Sequence, residues 1–223
     1  MNRTLILPLF DPTEANKFFH SVSRIRTVIF DPATQVALFI AALCLILQFT
    51  GMSDTLRFDR GAIETGNWWL LLSGNFVHFG LSHLLLNLAG LVLIYSLVWR
   101  NFNAMEWLAI ILISSLGVGL GLYHWDLSIF WYVGFSGTLH GLIIAGTLAD
   151  FRRFPGQAAL LLLVIIGKLA FEQIYGALPG SADVAGGAVA VNSHLFGAIS
   201  GAIIGLALLL WKMGRERRTQ TPP

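Results

Sequence analysis

Three short sequence clusters place polar side chains of chemical interest inside otherwise apolar stretches. They are Gly134-Phe135-Ser136-Gly137, His83-Leu-Leu-Leu-Asn87 and His194-Leu-Phe-Gly197. Polar groups at membrane depth are costly and usually face the protein interior or a water-filled cavity, so each cluster is a functional hypothesis. Together they supply the parts of a serine hydrolase, namely a hydroxyl nucleophile, a histidine base and donors for an oxyanion.

The composition is that of a membrane protein. Of the 223 residues, 56% are hydrophobic and 12% are charged, and the mean hydropathy is +0.72. Soluble domains carry about 25% charged residues. The net charge of +2 is too small to indicate nucleic-acid binding, and the only cysteine, Cys44, has no partner for an intrachain disulfide.

Six stretches approach the roughly 20 mostly apolar residues that a membrane span needs. They cover about residues 33–50, 79–99, 104–123, 132–149, 157–176 and 190–211. Each predicts a helix, because a helix satisfies its own backbone hydrogen bonds in lipid. We therefore expect an all-α membrane protein with a six-transmembrane-helix domain over 33–211. An N-terminal cytoplasmic segment over 1–32 and a basic cytoplasmic tail over 212–223 flank it.

The placement of lysine and arginine predicts the orientation. With six spans both termini lie on one side, and that side carries eleven of the 14 basic residues: Arg3, Lys17, Arg24, Arg26, Arg100, Arg152, Arg153, Lys212, Arg215, Arg217 and Arg218. The other side carries only Arg57 and Arg60, and Lys168 lies within a span. The positive-inside rule then makes both termini cytoplasmic and puts the three polar clusters near the external face.

Ser136 begins the fourth predicted span. A serine hydroxyl is a weak nucleophile until a neighbouring base takes its proton. Gly134 and Gly137 allow close approach of the backbone, and a helix N-terminus offers free N–H groups to a developing oxyanion. Taken alone, this motif is more typical of a small-residue packing patch between membrane helices.

His194 begins the sixth predicted span and is the candidate base. Glycines at four-residue spacing give this span and the fourth span matching small faces: Gly197, Gly201 and Gly205 on the sixth, and Gly137 and Gly141 on the fourth. Close contact of these faces would bring Ser136 and His194 within hydrogen-bonding reach. The alternative for His194 is a hydrogen bond to a carbonyl, or hydration at the membrane interface.

His83 and Asn87 are four residues apart and share one face of the second span. The imidazole N–H and the amide NH₂ are good donors for an oxyanion, although an interhelical polar clamp is the alternative. His78 receives a structural role at the helix start. A metal site of His78, His83 and His194 would need a cysteine or carboxylate that we do not find nearby, so we expect no metal.

Two further groups support the candidate site. His140 lies one helical turn after Ser136 on the same face, where it can orient His194 or serve as the base itself. The supporting role is favoured, because i,i+4 side chains on one helix rarely align for attack. Lys168 and Glu172 form an i,i+4 pair within the fifth span, and we expect a mutually neutralised pair facing a cavity near the point of substrate access.

In order, spacing and placement the motifs resemble the rhomboid family of intramembrane serine proteases. The matching residues are His78-x₄-His83-x₃-Asn87, Gly134-Phe135-Ser136-Gly137 and His194-x₂-Gly197-x₃-Gly201, within a core over 33–211. The tracts 83–90, 134–141 and 168–173 look most like the rhombosortase branch. That branch occurs in Gram-negative bacteria and is associated with substrates that carry a C-terminal Gly-Gly-containing sorting tail.

The resemblance implies a mechanism. Ser136 would be the nucleophile, and His194 the general base and acid of a dyad without an aspartate. His83, Asn87 and the Ser136 backbone N–H would form the oxyanion hole. The protein would lie in the bacterial inner membrane with its active site opening to the periplasmic side. Its expected partners are a transmembrane protein substrate and lipid, with no cofactor, metal or nucleic acid.

The chain departs from the family pattern at two places. Many rhomboids have Trp-Arg in the first external loop, where this chain has Trp69-Leu70, and many have tyrosine where His140 stands. Two other functional classes stay open. One is a non-catalytic rhomboid-like protein that binds and escorts transmembrane segments. The other is a small transporter with histidine proton relays, against which stands the lack of an inverted repeat.

Overall fold

A computed structural model describes residues 29–220 of the chain and is mostly helical. In chain order its elements are α1 (Pro32–Phe49), α2 (Ser53–Leu56), β1 (Phe58–Asp59), α3 (Arg60–Glu64), α4 (Leu70–Ser73), α5 (Leu81–Val98), a 3₁₀ turn (Trp99–Asn101), α6 (Ala104–Trp125), β2 (Trp131–Tyr132), α7 (Ser136–Asp150), α8 (Pro155–Tyr175), α9 (Ser181–Ala185) and α10 (Val191–Gln220). The predicted N-terminal segment lies almost wholly outside the described residues, as do the last three residues of the predicted tail.

Five helices within residues 29–220 are long and apolar enough to cross a membrane: α1, α5, α6, α8 and α10. Their outward surfaces carry exposed large apolar side chains, such as Leu93 on α5 and Leu163 on α8. A soluble domain rarely exposes so much apolar surface, whereas lipid covers it without cost. The prediction of a multi-pass, mostly helical membrane protein is therefore confirmed.

The fourth predicted span differs from the other five. Its helix, α7, has only 15 residues and begins at Ser136, because the preceding Trp131–Tyr132 strand pairs antiparallel with Phe58–Asp59. Fifteen residues rise about 22 Å, less than the ~30 Å hydrocarbon core. Nearly all of α7 is buried between α5, α6, α8 and α10. A sixth crossing, and the orientation that follows from it, stays a prediction.

Local sequence signals determine where the helices begin. The Asp31 carboxylate accepts from the backbone N–H of Thr34 at 2.9 Å and caps α1. Asn103 and Glu106 form a capping box at the start of α6, with reciprocal bonds of 3.0 and 2.8 Å. Lys212 on α10 then donates to Glu106 at 2.7 Å, which joins the two helices at this end of the bundle.

The segment between α1 and α5 is attached to α6 by a buried arginine. The guanidinium of Arg60 donates to the backbone carbonyls of Leu122, Tyr123, Asp126 and Ile129 at 2.8–3.1 Å. These include the Tyr123 carbonyl in the last turn of α6, while the Leu122 carbonyl also accepts from the Asp126 backbone N–H at 3.3 Å. The sequence alone predicts for Arg60 only a charge on the external side. In the structure it stabilises the end of α6 and the loop after it.

Candidate active site

Ser136 and His194 lie in direct contact. The Ser136 Oγ and the His194 Nε2 are 2.9 Å apart, the distance of a hydrogen bond. Ser136 is the first residue of α7 and His194 lies in the first turn of α10, so the beginnings of two helices place them together. His194 is 5% exposed. The sequence left open that His194 bonds to a carbonyl or lies hydrated at the membrane interface. In the structure its Nε2 contacts the Ser136 hydroxyl and the residue is buried.

The predicted glycine faces explain how α7 and α10 come this close. A Cβ atom added at Gly197 would overlap the carbonyl oxygen of Gly137, and one added at Gly201 would overlap the backbone of Gly141. No larger residue fits at either position without separating the helices. In the first contact Gly137 directly follows Ser136 and Gly197 is three residues after His194, so this contact controls the spacing of the two side chains.

Gly134 allows the chain to pass closely under His83. Its φ of +125° is in a region that side chains other than glycine rarely adopt. A Cβ at this position would lie 2.6 Å from the His83 Cε1 atom. The Tyr132 hydroxyl donates to the Gly134 carbonyl at 2.5 Å, and the Gly134 N–H donates to the Gly74 carbonyl at 3.0 Å. Both backbone polar groups of Gly134 are therefore hydrogen-bonded, which fixes the segment just before α7.

His83 and Asn87 line the same cavity as Ser136 and present donors to it. The Phe79 backbone N–H points at the His83 Nδ1 at 3.5 Å, which leaves the proton on Nε2 as a donor. The Asn87 amide donates one hydrogen to the His83 carbonyl at 3.1 Å and keeps the second free. The first N–H groups of α7, at Ser136 and Gly137, add donors without a partner in their own helix.

His78 touches His83 but not Ser136. The two imidazoles pack edge to face with centroids 5.1 Å apart. Within the described chain, neither ring nitrogen of His78 has a hydrogen-bond partner. Burial, with a smaller effect of nearby His83, lowers the pKa of His78 from 6.5 to about 3. A neutral imidazole that packs beneath His83 agrees with the structural role assigned from the sequence.

The cavity in front of Ser136 has a volume of about 450 Å³. Its walls are mostly apolar and come from α5, α7 and α8, and α9 and the residues after it also line it. The lining also includes two pairs of polar residues in hydrogen-bonding contact, Ser136 with His194 and His83 with Asn87. An apolar groove with a few convergent polar groups is the usual form of a substrate site.

Lys168 and Glu172 contact His194, which sequence analysis did not anticipate. The Glu172 Oε2 lies 2.9 Å from the His194 Nδ1, on the opposite edge of the ring from Ser136. The Lys168 Nζ lies 2.6 Å from the same oxygen and 3.0 Å from the same nitrogen. Both side chains also line the cavity, as expected. The sequence signal for this contact was the presence of two charged residues in an apolar span, because charged residues in membrane helices usually face the protein interior.

His140 has both ring nitrogens engaged. Its Nδ1 lies 2.7 Å from the Ser136 carbonyl oxygen, and its Nε2 lies 2.8 Å from the Lys168 Nζ. The ring stacks on that of His194 with centroids 4.3 Å apart. No nitrogen of His140 is directed at the Ser136 hydroxyl, so this geometry favours the supporting role over the alternative of a base.

One group of side chains has the composition of a metal site. Ligand atoms of His140, Glu172 and His194 lie within 4.8 Å of one another. From the sequence no carboxylate was expected near His78, His83 and His194, whereas Glu172 lies 2.9 Å from the last of these. However, the Lys168 Nζ lies within 3.0 Å of a side-chain atom of each of these three residues. A metal ion would have to displace a cation that is already matched to its partners.

Comparison with known families decides the family. A family model described as the rhomboid domain matches residues 65–211, two thirds of the chain. The chain belongs to the rhomboid family. A comparison with curated proteins finds no significant match. Rhomboid proteins are generally serine intramembrane proteases that act on transmembrane substrates.

The matched range of this rhomboid contains every residue of the site described above, from His78 to His194. It also contains both departures from the family pattern. Leu70 is buried in the first turn of α4, and Arg60, outside the matched range, makes the polar contacts that attach this loop to α6. His140 takes two hydrogen bonds with its ring nitrogens, one on each side of the imidazole.

Proposed function

We propose that this rhomboid is an active intramembrane serine endopeptidase, with Ser136 as nucleophile and His194 as general base and acid. The observation that carries the proposal is the 2.9 Å contact between Ser136 Oγ and His194 Nε2 at the wall of an apolar cavity. A non-catalytic escort protein has no need of this geometry. The family membership supports the same reaction.

The proposed reaction begins when the Ser136 Oγ attacks the carbonyl carbon of the scissile peptide bond. Its proton passes to the His194 Nε2, and the carbonyl oxygen becomes an oxyanion. His83 Nε2–H, the free Asn87 N–H and the Ser136 backbone N–H donate to this oxygen. His194 next gives its proton to the leaving amide nitrogen, and the bond breaks. Water then releases the acyl group from Ser136 by the reverse sequence.

The proposed substrate is a transmembrane segment of another protein, which enters sideways between α5 and α8. Both helices line the cavity with apolar side chains such as Leu86 and Val164, which are also exposed to the surroundings. A helical substrate hides its carbonyls, so cleavage needs a segment that unwinds readily, and glycine unwinds helices. A Gly-Gly-containing C-terminal tail, as in the rhombosortase branch, meets this requirement.

The proposed topology has six crossings with both termini in the cytoplasm. The excess of lysine and arginine on one side supports this topology. The sixth crossing is α7, which is short and is surrounded by the longer helices packed against it. We further propose the bacterial inner membrane as the location, with the site open to the periplasm. Ser136, His83 and His194 all lie at the end of the bundle where α5, α7 and α10 begin.

The proposal is tested by co-expressing the full chain with membrane proteins whose single span contains either Gly-Gly or Leu-Leu near its external end. We expect cleavage of the Gly-Gly substrate, and complete loss of cleavage in Ser136→Ala and in His194→Ala. Ser96→Ala is the matched control, since Ser96 is a helix serine outside the cavity whose hydroxyl donates to the Val92 carbonyl. A fluorophosphonate probe should label the wild type and not Ser136→Ala.

Two results would contradict the proposal. If Ser136→Ala cleaved as fast as the wild type, the serine mechanism would be wrong. If the wild type neither reacted with the probe nor cleaved any substrate, yet bound transmembrane segments, the escort function would replace it. Cleavage of the Leu-Leu substrate at the same rate would leave the mechanism in place and remove the argument for a Gly-Gly tail.

A further inference from the structure

Glu172 holds a position that the proposed two-residue mechanism does not use. Its side chain is 2% exposed and its Oε2 faces the His194 Nδ1, while Ser136 faces the other nitrogen of the same ring. Burying a carboxylate in an apolar span is costly unless a partner compensates. Lys168 provides that compensation at 2.6 Å. We infer that Glu172 is a positioning residue for His194, so that the site works as a Ser136–His194–Glu172 triad; this inference rests on the proposed function.

The effect of Glu172 on His194 depends on which nitrogen of the imidazole carries the proton. His194 can accept the Ser136 proton only if its Nε2 is unprotonated, and a neutral imidazole then carries its proton on Nδ1. A carboxylate accepts and cannot donate, so Glu172 favours this competent tautomer. The Lys168 ammonium, 3.0 Å from the same Nδ1, can only donate and favours the opposite tautomer. The two residues therefore compete for control of the base.

The hydrogen bonds of Lys168 show how that competition is resolved. The His140 Nδ1 faces the Ser136 carbonyl oxygen, an acceptor, so the proton of His140 lies on Nδ1 and its Nε2 accepts. Lys168 thus has acceptors at 2.6 Å in Glu172 and at 2.8 Å in His140, both nearer than His194. With its protons directed to these two, the His194 Nδ1–H is free to donate to Glu172. Each of the contacts at Glu172 Oε2 and at His140 Nε2 then joins a donor to an acceptor, and the third ammonium hydrogen of Lys168 is not needed by the network.

The charges in the network indicate what Glu172 does. Its oxygen lies 2.9 Å from the His194 Nδ1 and the Lys168 Nζ lies 3.0 Å from it, so their opposite effects on an imidazolium largely cancel. Glu172 therefore acts by tautomer and orientation rather than by adding negative charge. Removing Glu172 while Lys168 remains should be worse than removing both, because the ammonium would then hold the wrong tautomer.

The test compares kcat and KM of purified full-length variants in lipid nanodiscs with a cleavable transmembrane substrate. We expect Glu172→Met to lower kcat by about 10²- to 10⁴-fold, the range that a wrong histidine tautomer costs, with KM little changed. Glu172→Gln keeps a carbonyl acceptor and should retain more activity. The double variant Glu172→Met with Lys168→Met should recover at least about tenfold over Glu172→Met alone. If Glu172 only paired the lysine charge, Met and Gln would be equally harmful.

The matched control is Glu106→Met. Glu106 is also a buried glutamate paired with a lysine, Lys212, at 2.7 Å. Lys212 lies 18 residues beyond His194 on α10, about 27 Å away. This variant loses the same type of pair without touching His194, so its kcat should match that of the wild type.

A measurement on the wild type keeps the inference falsifiable even if the variants fold poorly. Nitrogen-15 NMR of histidine-labelled protein distinguishes the two tautomers, and the His194 signal is assigned by its loss in His194→Ala. We expect protonated Nδ1 in the wild type. A resting Nε2–H tautomer, or a Glu172→Met kcat within about threefold of wild type, would overturn the triad. Cleavage by Ser136→Ala would instead overturn the proposed function, so the two failures are distinguishable.

Discussion

The imidazole of His140 stacks on that of His194, with centroids 4.3 Å apart and the ring planes inclined by 22°. The stack fixes the plane of the His194 ring. It covers only the face of the ring, so the two nitrogens at the edges contact Ser136 and Glu172. His140 also donates from Nδ1 to the carbonyl of Ser136, so one residue contacts the backbone of the candidate nucleophile and the ring of the candidate base. Many relatives are expected to use tyrosine here, which offers one polar atom instead of two.

Substituting His140 separates the stacking from the hydrogen bonds. His140→Phe keeps an aromatic ring against His194 but removes the bonds to the Ser136 carbonyl and to Lys168, and we expect kcat to fall by about 3- to 30-fold. His140→Ala removes the ring as well and should fall further. Cleavage rates of a transmembrane substrate measure both effects. Exposed His124→Phe should be neutral; a wild-type rate for His140→Ala would show that the stack has no role.

The glycine contact between α7 and α10 should tolerate no added methyl group. Gly197→Ala places a Cβ on the Gly137 carbonyl oxygen, so we expect the free energy of unfolding to fall by about 1–3 kcal/mol, and cleavage to be lost as Ser136 and His194 separate. Unfolding by SDS titration measures the first effect. Gly167 on α8 has open space around it, and Gly167→Ala should be neutral or stabilise by up to about 1 kcal/mol. Equal stability of the two variants would contradict the close approach.

Arg60 should be required for the stability of the loop between α1 and α5. Arg60→Met removes the guanidinium donors from the carbonyls at the end of α6, and we expect the free energy of unfolding, measured by heat or SDS, to fall by about 1–3 kcal/mol. Arg57→Met, in the same loop, removes partly exposed ion pairs with Asp54 and Asp59 and a cation–π contact with Trp131. Such pairs contribute about 0–1 kcal/mol. An Arg60→Met protein as stable as Arg57→Met would be the contrary result.

The buried His78 should make stability depend on pH. Because burial lowers its pKa to about 3, the unfolded chain binds a proton below its ordinary pKa of 6.5 that the folded chain does not bind. Its contribution to stability is therefore present above pH 6.5 and is lost as pH falls towards 3, by up to about 1.4 kcal/mol per unit. His78→Gln should flatten this dependence, measured as SDS unfolding midpoints between pH 7 and 4. An unchanged slope would mean that His78 is not the group responsible, and exposed His124→Gln is the control.

Much of the arrangement could be predicted from local sequence. Hydropathy predicted five of the long helices, and most of their predicted ends lie within a few residues of the observed ones. A helix surrounded by lipid needs a long run of apolar residues, and such a run is visible in the local sequence. The glycine spacing after His194 predicted its approach to the helix of Ser136, since i,i+4 residues share a face in any helix. The α7 boundary was less accurate, because the pairing of β2 with a strand about 70 residues earlier has no local signal.

The sequence by itself determined which residues can do chemistry and which helix carries each. Only the tertiary structure decided which side chains meet across helices, since the rotation and depth of one helix against another depend on the packing of the whole bundle. The i,i+4 rule joined Lys168 to Glu172 but could not direct them at His194, 22 residues beyond Glu172 along the chain. The same rule placed His140 on the helix face that carries Ser136. It could not show that the His140 Nε2 contacts the Lys168 Nζ on α8. Contacts between residues on different helices depend on packing, and they turn a pair of candidate residues into a connected site.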